Sequence, residues 1–468
     1  MEIYNTLSKS VEKFIPHNEK EVKMYTCGPT VYDYAHIGNL RTYIFEDILE
    51  KSLNYLGYDV KRVMNITNVG HMVSDGDTGD DKMVVGARRE GKTVLEIADF
   101  YTEAFFNDIK KLNIRKPSII EKASNHIDEY IKIIQNLMDA GYAYVSEGNV
   151  YFDVSKVSNY YELSGMKEAD LIVGAREGVE LDKHKRNPFD FGLWFTNSKF
   201  ENQLLTWDSP WGRGYPGWHI ECTGIALKFL GSKLDIHCGG IDAIFPHHTN
   251  EIAQSEAYLG HKWCNYWLHG EFLNDKTGKM SKSKGGFLTL SLLETKGYNP
   301  LAYRFLILQS HYRNQLVFSY ETLDGAAQAY QKLKARIKQI ITSAEGKINQ
   351  TMINAYKQKF KKALKDDLNT ANALTVLFEL LKDVRLNNIT KKKLIADFDQ
   401  VLSLSLITKG KKVDDDKLVT YINKKIAKRE QAKEQGDYQL ADSIRRELKE
   451  KGIILIDKKN RTDWEKED

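Results

Sequence analysis

The feature that most constrains the fold is a strand, a short loop and a helix near the start of the chain. Residues 22–27 are typical of a strand, residues 28–35 form a loop with a proline, and a helix opens at His36. The apolar residues of this helix recur at 3.6-residue spacing until Gly57, which is a natural stop. A second strand, residues 60–66, follows at once. This βαβ order predicts a parallel, doubly wound sheet whose ligand lies beyond the carboxyl ends of its strands.

The length and composition of the chain predict several domains. Its 468 residues exceed one ordinary core, and 42% apolar with 28% charged residues describe a folded globular protein. We expect an α/β protein with a doubly wound parallel sheet, an insertion domain, an α-helical bundle and a small C-terminal module. The predicted boundaries are 1–119 for the first half of the sheet domain, 120–205 for the insertion, 206–310 for the second half of the sheet domain, 311–410 for the bundle and 411–468 for the C-terminal module.

Three segments carry more detailed expectations. Residues 89–143 are helical in pattern, and no strand signal interrupts the helices between His311 and Leu406. Residues 207–222 are dense in Gly, Pro and Trp, a composition typical of a loop that approaches a ligand closely. The sequence therefore predicts a long helical region after the sheet and a close-approach loop before its second half.

Membrane proteins and disulfide-rich secreted proteins are excluded by the sequence. The first residues lack the apolar core of a signal peptide, and no run reaches the roughly 18 apolar residues that a membrane helix needs. We therefore expect a cytoplasmic protein that has no membrane partner. Only four cysteines occur, without a CxxC pair, which predicts free thiols that can bind a metal.

The positive charge of the chain is concentrated in one region. The net charge of +4 is small for this length and does not by itself indicate a nucleic-acid partner. Between residues 331 and 365, however, ten Lys or Arg face a single acid, Glu345. These helices could bind a phosphate backbone, and a solvated helical face explains the charge equally well.

The helix that opens at His36 begins with the sequence HIGN. Backbone N–H groups and the positive end of the helix dipole bind phosphate at such a place, and Gly38 lets a nucleotide approach the backbone. His36 would then stabilise charge that develops on the phosphate. For this motif alone, a structural histidine at a helix start is the commoner explanation.

A second motif, KMSKS, occupies residues 279–283 within a glycine-containing loop. Its two lysines, Lys279 and Lys282, could move onto a triphosphate as a mobile clamp. A solvated basic loop is the weaker explanation, because the two motifs occur in the order and loop context that nucleotide chemistry requires.

With both motifs, the sequence resembles the class I aminoacyl-tRNA synthetases, whose signatures HIGH and KMSKS flank an ATP site on a Rossmann-type fold. Further segments match the cysteinyl-tRNA synthetase family within that class. These segments are residues 26–32 (TCGPTVY), 65–67 (NIT), 217–222 (GWHIEC) and 245–254, which contain FPHH and NEIAQ. The resemblance spans essentially the whole chain and implies an ATP-dependent ligase that forms cysteinyl-adenylate and transfers cysteine to the 3′ end of tRNA(Cys).

Four side chains are candidate metal ligands. Zinc takes Cys, His and carboxylate ligands, and a catalytic zinc commonly leaves one position for a substrate. The residue pattern alone leaves a structural HHxxE helix and two buried thiols as the commoner reading. The resemblance implies one Zn²⁺ held by Cys27, Cys222, His247 and Glu251, with the substrate thiol as a further ligand. Zinc favours a thiolate over a serine hydroxyl, so this bond would select cysteine.

The resemblance also implies the remaining substrate contacts. ATP, accompanied by Mg²⁺, would lie between the two signature motifs. Its implied contacts are His36, Gly38, Asn39, Asp242, Lys279 and Lys282. Those around the substrate cysteine are Thr67, Trp218 and His237. Those that read the tRNA anticodon are Arg429, Asp442, Arg445, Asp457 and Trp464.

Two other functions fit part of the sequence. A related enzyme that joins cysteine to a sugar-inositol amine shares the catalytic half but lacks the C-terminal module. A non-catalytic paralogue that only binds tRNA is opposed by the intact His36, Lys279 and Lys282.

Asn39 replaces the second histidine of the HIGH signature, so it can form a hydrogen bond but cannot titrate. The resemblance therefore favours a monomeric enzyme whose partners are tRNA(Cys), L-cysteine and ATP.

Overall fold

The computed structural model describes residues 1–69, 93–166, 184–196, 205–275, 278–279, 288–407, 416–458 and 461–466. The chain divides into two compact units, Met1–Ile407 and Thr408–Asp468. The finer boundaries expected within the first unit stay predictions. None of the described helices is long and apolar enough to cross a membrane.

The first unit contains both α-helices and β-strands. Its first elements are β1 (Glu2–Asn5), β2 (Ser10–Lys13), β3 (Glu21–Thr26), α1 (Ile37–Leu56), β4 (Asp59–Ile66), α2 (Val94–Lys111), β5 (Ile119–Lys122), α3 (Ile127–Asp139), β6 (Ala143–Ser146), β7 (Asn149–Phe152) and β8 (Phe191–Phe195). Its later elements are β9 (Tyr215–Pro216), α4 (Trp218–Leu230), β10 (Leu234–Gly240), α5 (Thr249–Leu259), β11 (Cys264–Gly270), β12 (Leu273–Asp275), β13 (Gly278–Lys279), α6 (Leu290–Thr295), α7 (Pro300–Leu308), β14 (Leu316–Val317), α8 (Tyr320–Thr342), α9 (Gln350–Lys365), α10 (Thr370–Lys382) and α11 (Asn388–Leu402).

A five-stranded parallel sheet forms the centre of the first unit. Its strand order is β11–β10–β3–β4–β5. The chain winds from β3 outward through β4 to β5, and it returns on the other side of β3 through β10 to β11. The strand order therefore reverses between β3 and β10, where doubly wound sheets bind ligands at their carboxyl ends. The predicted α/β class and doubly wound sheet are confirmed.

Two short strands interrupt segments that the sequence predicts to be helical. The helical interpretation of residues 89–143 is wrong at β5, which pairs in parallel with β4 as the edge of the sheet. The residues of β5 are all partly buried, and two of them are charged, so they show no apolar alternation. The expectation of unbroken helix after His311 is wrong at β14, which pairs with β12 and has only two residues. Both strands are too short for a periodic pattern.

The segment interpreted as an insertion contributes most of an antiparallel sheet, β6–β7–β8–β9. The glycines of residues 207–222, which were expected to approach a ligand, approach strand β8. A Cβ atom on Gly217 would lie 2.0 Å from the carbonyl oxygen of Gly192, and one on Gly214 would lie 2.1 Å from that of Phe195. Glycine at these two positions therefore lets β9 and the start of α4 pack directly against this sheet.

A helical bundle, α8 to α11, completes the first unit. Its apolar side chains form one continuous cluster with those of α1 and α7. At the centre of the bundle, the rings of Phe360 and Phe398 stack with 4.1 Å between centroids. The bundle therefore shares a hydrophobic core with the helix that carries the HIGN motif.

The second unit is small and has its own core. It contains α12 (Asp416–Glu434), α13 (Tyr438–Glu450) and an antiparallel hairpin of β15 (Ile453–Lys458) and β16 (Arg461–Lys466). Among its described residues, the buried apolar side chains that form this core are Ile422, Ile426, Ile444, Leu448, Ile453 and Leu455. The side chain of Asp437 accepts a hydrogen bond from the N–H of Leu440 at 2.9 Å and so caps α13.

A buried ion cluster joins α1 to the end of the bundle. The Arg304 guanidinium donates to a carboxylate oxygen of Asp47 at 2.6 Å and to the carbonyl of Leu402 at 2.8 Å. The Lys51 ammonium donates to the same oxygen of Asp47 at 2.7 Å and to the hydroxyl of Ser403 at 2.8 Å. Burial, which outweighs the attraction of Asp47, lowers the pKa of Lys51 to about 8. The Lys51 ammonium in this cluster therefore loses its proton at a lower pH than an ordinary lysine does.

The substitution Lys51→Met tests this cluster. Lys51 has a pKa of about 8 in the folded chain and 10.5 as its ordinary value, so between these limits only the unfolded chain keeps the proton. Lys51 should therefore make the free energy of unfolding rise with pH in this window, by up to about 1.4 kcal/mol per pH unit. The Lys51→Met variant should lack this pH dependence. Urea unfolding of both proteins at several pH values between 8 and 10.5 measures the difference. The same pH dependence in both proteins would contradict the shifted pKa.

Candidate metal and nucleotide site

The four candidate metal ligands meet at the carboxyl end of β3. Cys27 directly follows β3, Cys222 lies in α4, and Glu251 lies in the first turn of α5. His247 precedes α5 in a wide helical turn, Ile244–His248. One ligand atom from each of the four side chains lies within 4.8 Å of those from the other three. The fold thus brings together two thiols, an imidazole and a carboxylate, a donor set that fits zinc.

Neighbouring imidazoles contact those atoms of His247 and Glu251 that do not face the other donors. Nε2 of His247 lies 3.1 Å from Oε1 of Glu251, whereas its Nδ1 lies 2.8 Å from Nδ1 of His219. The other carboxylate oxygen, Oε2 of Glu251, lies 2.9 Å from Nε2 of His237. Partners of this kind orient metal ligands and fix their ring positions. The donor group is therefore held in place by a second layer of side chains.

A second group of donors overlaps the first. Cys27 and Glu251 also have ligand atoms within 4.8 Å of those of His237 and His248. The ring of His248, however, is engaged through both nitrogens: Nε2 lies 3.3 Å from Sγ of Cys27, and Nδ1 lies 2.8 Å from Nε2 of His269. His237 and His248 thus support Glu251 and Cys27. Only the first group contains two thiols together with an imidazole and a carboxylate, so it is the better candidate for the metal ion.

The charges of the site favour protons on two of its donors. The hydrogen bond with Cys222, together with burial, raises the pKa of Cys27 well above its ordinary value. Burial lowers the pKa of His247, but the facing Cys222 and Glu251 outweigh it and raise this pKa to about 10. Burial raises the pKa of Glu251, but its contacts with His237 and His247 hold it below the ordinary value. At neutral pH, Cys27 and His247 are therefore protonated and Glu251 is ionised.

Metal binding should therefore release protons. Cysteine and histidine bind metals in their deprotonated forms, so an ion must displace the protons of Cys27 and His247. Around neutral pH, we expect at least two protons to be released per Zn²⁺, those of Cys27 and His247, and an apparent affinity that rises with pH. Calorimetric titration with Zn²⁺ in buffers of different ionisation enthalpy measures this number. Zinc binding without proton release would contradict the protonation states assigned here.

The three residues expected around the substrate cysteine lie beside the donor group. The ring of Trp218 lies 4.5 Å from that of His247. Thr67 is buried and donates its hydroxyl proton to Glu221 at 3.1 Å. His237 is fully buried, and its Nδ1 has no hydrogen-bond partner among the described residues. Their contacts with cysteine stay predictions.

Helix α1 begins as the HIGN motif predicts. Nδ1 of His36 accepts a hydrogen bond from the backbone N–H of Asn39 at 3.1 Å, and Oδ1 of Asn39 accepts one from the backbone N–H of His36 at 3.3 Å. This reciprocal pair is a capping box, so Asn39 has a structural role at the helix start. A Cβ atom on Gly38 would lie 2.9 Å from the His36 ring, which leaves little room for a larger residue. The first turn contains no acidic side chain that would repel an anion.

The other predicted ATP residues are described only in part. Asp242 is exposed in a short turn, Ile241–Ala243, directly after β10. The backbone of Lys279 belongs to β13, which pairs with β12. Lys282 lies outside the described residues, as does the rest of the KMSKS motif after Lys279.

The predicted anticodon residues lie close together in the second unit. The buried Arg429 guanidinium donates to both carboxylate oxygens of Asp457, at 2.7 and 2.8 Å. Arg445 approaches the same carboxylate at 3.7 Å, and Asp457, followed by Asp442, raises the pKa of Arg429. Trp464 packs against the core of the unit. Arg429 therefore stabilises the unit through its ion pair with Asp457, and its contact with an anticodon stays a prediction.

Three buried histidines and a buried acid that support the site were not among the residues predicted from the sequence. These residues are His219, Glu221, His248 and His269. His219, Glu221 and His248 lie within segments that match the family, and Glu221 and His248 are each adjacent to a candidate ligand, which was a usable signal. His269 lies in an apolar strand, where nothing in the local pattern distinguishes it from a core residue.

Comparison with protein families and solved structures identifies the class of the protein. The family model "tRNA synthetases class I (C) catalytic domain" matches residues 13–328, and the model "DALR domain" matches residues 359–405. The fold is similar to that of Mycobacterium tuberculosis methionyl-tRNA synthetase bound by methionyl-adenylate, with a TM-score of 0.53 and 14% identity over 82% of this chain and 89% of that chain. The protein is a class I aminoacyl-tRNA synthetase.

Full-length relatives narrow this class to one family. The cysteine–tRNA ligase of Treponema denticola is 48% identical to the chain over an alignment of 491 positions, gaps included, which covers 100% of this chain and 99% of that protein. The cysteine–tRNA ligase of Borrelia garinii subsp. bavariensis is 44% identical over 476 residues, which cover 99% and 98% of the two proteins. The chain belongs to the cysteine–tRNA ligase family, which confirms the resemblance found in the sequence.

Proposed function

We propose that this protein activates L-cysteine with ATP and transfers the cysteinyl group to the 3′ end of tRNA(Cys). In the first step the cysteine carboxylate attacks the α-phosphate of ATP, which gives cysteinyl-adenylate and releases pyrophosphate. In the second step a hydroxyl of the terminal tRNA ribose attacks the activated carbonyl and releases AMP. The observation that supports this proposal is that Cys27, Cys222, His247 and Glu251 lie together at the carboxyl end of β3.

The four donors of this group would hold one Zn²⁺. Two sulfur atoms, one imidazole nitrogen and one carboxylate oxygen are zinc ligands by chemistry, and their closeness suits a single ion. When bound, zinc would supply a coordination position that a substrate thiolate fills far better than a serine hydroxyl. Trp218, Thr67 and His237 would surround the remainder of the cysteine. The unpaired Nδ1 of His237 supports a polar partner there.

ATP and Mg²⁺ would bind at the N-terminus of α1. The capping box of His36 and Asn39 fixes the first turn, and the positive end of the helix dipole favours the phosphates. His36 and Gly38 would contact the phosphates, Asp242 would contact the nucleoside, and Lys279 and Lys282 would close over the triphosphate. Since no protein nucleophile is required, the site would act by positioning and by stabilising charge.

The helical bundle and the second unit would bind tRNA(Cys). Some of the basic residues of α8 and α9 are committed within the bundle: Lys357 pairs with Asp397 at 2.6 Å, and Lys359 pairs with Glu379 at 2.9 Å. Others, including Lys332, Lys362 and Lys365, are exposed and could contact phosphates. The second unit would contribute Arg429, Asp442, Arg445, Asp457 and Trp464 to anticodon recognition.

We further propose that the protein acts as a monomer in the cytoplasm, where its substrates ATP and tRNA occur. The presence of a separate C-terminal unit supports tRNA rather than a small sugar-inositol amine as the acceptor. The complete donor group supports a catalytic protein rather than an inactive tRNA-binding paralogue.

Transfer of labelled cysteine to total tRNA tests the proposed function. The protein should form cysteinyl-tRNA and no seryl-tRNA when serine is in excess, and removal of zinc should abolish the reaction. Cys222→Ser should lose zinc and cysteine activation together, because it removes a thiolate ligand. Cys264→Ser is the matched control: Cys264 is buried outside the donor group, 3.5 Å from the carbonyl oxygen of Tyr266, and its replacement should preserve both properties.

Three results would count against the proposal. Unchanged zinc content and activity in Cys222→Ser would remove the role of the donor group. Cysteine-dependent pyrophosphate exchange without tRNA charging would indicate the small-amine ligase. The absence of any ATP chemistry would indicate a binding protein.

A further inference from the structure

A chain of hydrogen bonds leads from Cys27 to the N-terminal segment of the protein. Sγ of Cys27 lies 3.3 Å from Nε2 of His248, and Nδ1 of His248 lies 2.8 Å from Nε2 of His269. Nδ1 of His269 lies 2.8 Å from the hydroxyl oxygen of Thr6, which directly follows β1. His248 is fully buried and the side chains of His269 and Thr6 are almost so. The chain therefore joins a candidate metal ligand to a residue that neither the motifs nor the donor group include.

The two imidazoles of this chain share one hydrogen bond. Nδ1 of His248 and Nε2 of His269 lie 2.8 Å apart, so one of these nitrogens donates and the other accepts. Both rings are buried, where a charged ring would be costly. A neutral imidazole donates one hydrogen bond and accepts one. The three contacts are therefore satisfied in only two ways, with every donor pointing toward Cys27 or every donor pointing away from it.

A deprotonated sulfur selects one of these two arrangements. Cysteine binds a metal as the thiolate, which can only accept a hydrogen bond, so Nε2 of His248 must carry the proton. Nδ1 of His248 then accepts from Nε2–H of His269, and Nδ1 of His269 accepts from the Thr6 hydroxyl. The Thr6 hydroxyl is thus the terminal donor that the thiolate form of Cys27 requires.

We propose that Thr6 is a positioning residue for the metal site: its hydroxyl holds His269 and His248 in the tautomers that donate a hydrogen bond to the Cys27 thiolate. The inference rests on the proposed function, in which Cys27 is a zinc ligand. It adds Thr6, at the opposite end of the chain of contacts, to the residues that determine metal affinity.

The surrounding structure holds the Thr6 hydroxyl against His269. The backbone N–H of Thr6 donates at 2.8 Å to the carbonyl of Trp267 in β11, the strand that also carries His269. The side chain of Asn5 accepts from the N–H of Trp267 at 3.0 Å and donates to the carbonyl of Asn265 at 3.0 Å. Three contacts thus fix two consecutive residues of the N-terminal segment along β11, which leaves the hydroxyl little freedom to turn away.

Two substitutions separate the donor from the shape of the side chain. Thr6→Val is nearly isosteric but has no hydroxyl, whereas Thr6→Ser keeps it. Zinc affinity, measured by competition with a chelator, should fall about 10-fold or more in Thr6→Val, the size of effect seen when partners of metal ligands are removed, and should stay near wild type in Thr6→Ser. Thr390→Val is the matched control, because Thr390 is fully buried in α11 and also loses a hydroxyl that forms a hydrogen bond. Its zinc affinity should not change.

A spectroscopic measurement reports the hydrogen bond itself. In the cobalt-substituted protein, loss of a donor to the thiolate should move the sulfur-to-cobalt charge-transfer band to longer wavelength in Thr6→Val but not in Thr6→Ser. Histidine nitrogen resonances of the zinc-loaded wild-type protein should show His248 and His269 both protonated at Nε2.

The outcomes distinguish this inference from the proposed function. If the wild-type protein binds no zinc, the proposed metal site fails. If it binds zinc but Thr6→Val matches wild type, or Thr6→Ser is as weak as Thr6→Val, the inference about the Thr6 hydroxyl is overturned. Should Thr6→Val not fold, the wild-type resonances decide, since a proton on Nδ1 of His269 would overturn the proposed tautomers.

Discussion

The parallel pairing of β3 with β10 is the contact on which the site depends. Residues 24–26 pair with residues 236–238, and the N–H of Cys27 donates to the carbonyl of Cys238 at 3.3 Å. This pairing joins the two halves of the sheet, which are separated by the insertion, and sets Cys27 beside the strand that carries His237. Helix α4 packs on β3 and β4, and α5 packs on α4, so Cys222 and Glu251 reach the same strand end. A change in this register would separate all four donors.

Because the site is buried, its polar groups need partners within the protein. Charged and polar groups are costly inside a protein unless they are paired, and three of the four ligand candidates have an imidazole partner outside the donor group. His219 supports His247, His237 supports Glu251, and His248 supports Cys27. Helix α1 connects the sheet to the bundle. It starts with the capping box of the HIGN motif and carries Asp47 and Lys51 of the buried ion cluster in its middle. The capping box of the HIGN motif and these two residues of the buried ion cluster are therefore parts of the same helix.

Local patterns in the sequence predicted the elements, whereas contacts between distant segments needed the structure. The strand, loop and helix around His36 and the stop at Gly57 follow from periodicity and glycine chemistry, and the structure has them within a residue or two. Cys27 and Cys222 carry no local sign that they meet, so their pairing came from family resemblance alone. The strand β5, the support of Cys27 by His248 and the ion pair of Arg429 with Asp457 are products of tertiary packing, for which the sequence offers no period or spacing.

In the proposed function, the donor group binds a metal ion that in turn binds the substrate thiol. X-ray absorption at the zinc edge of the loaded protein tests this binding, because sulfur and lighter ligands scatter differently. We expect two sulfur ligands, from Cys27 and Cys222, in the absence of substrate. We expect three when cysteine is added and still two when serine is added. If the number of sulfur ligands does not change on addition of cysteine, the metal ion does not bind the substrate thiol.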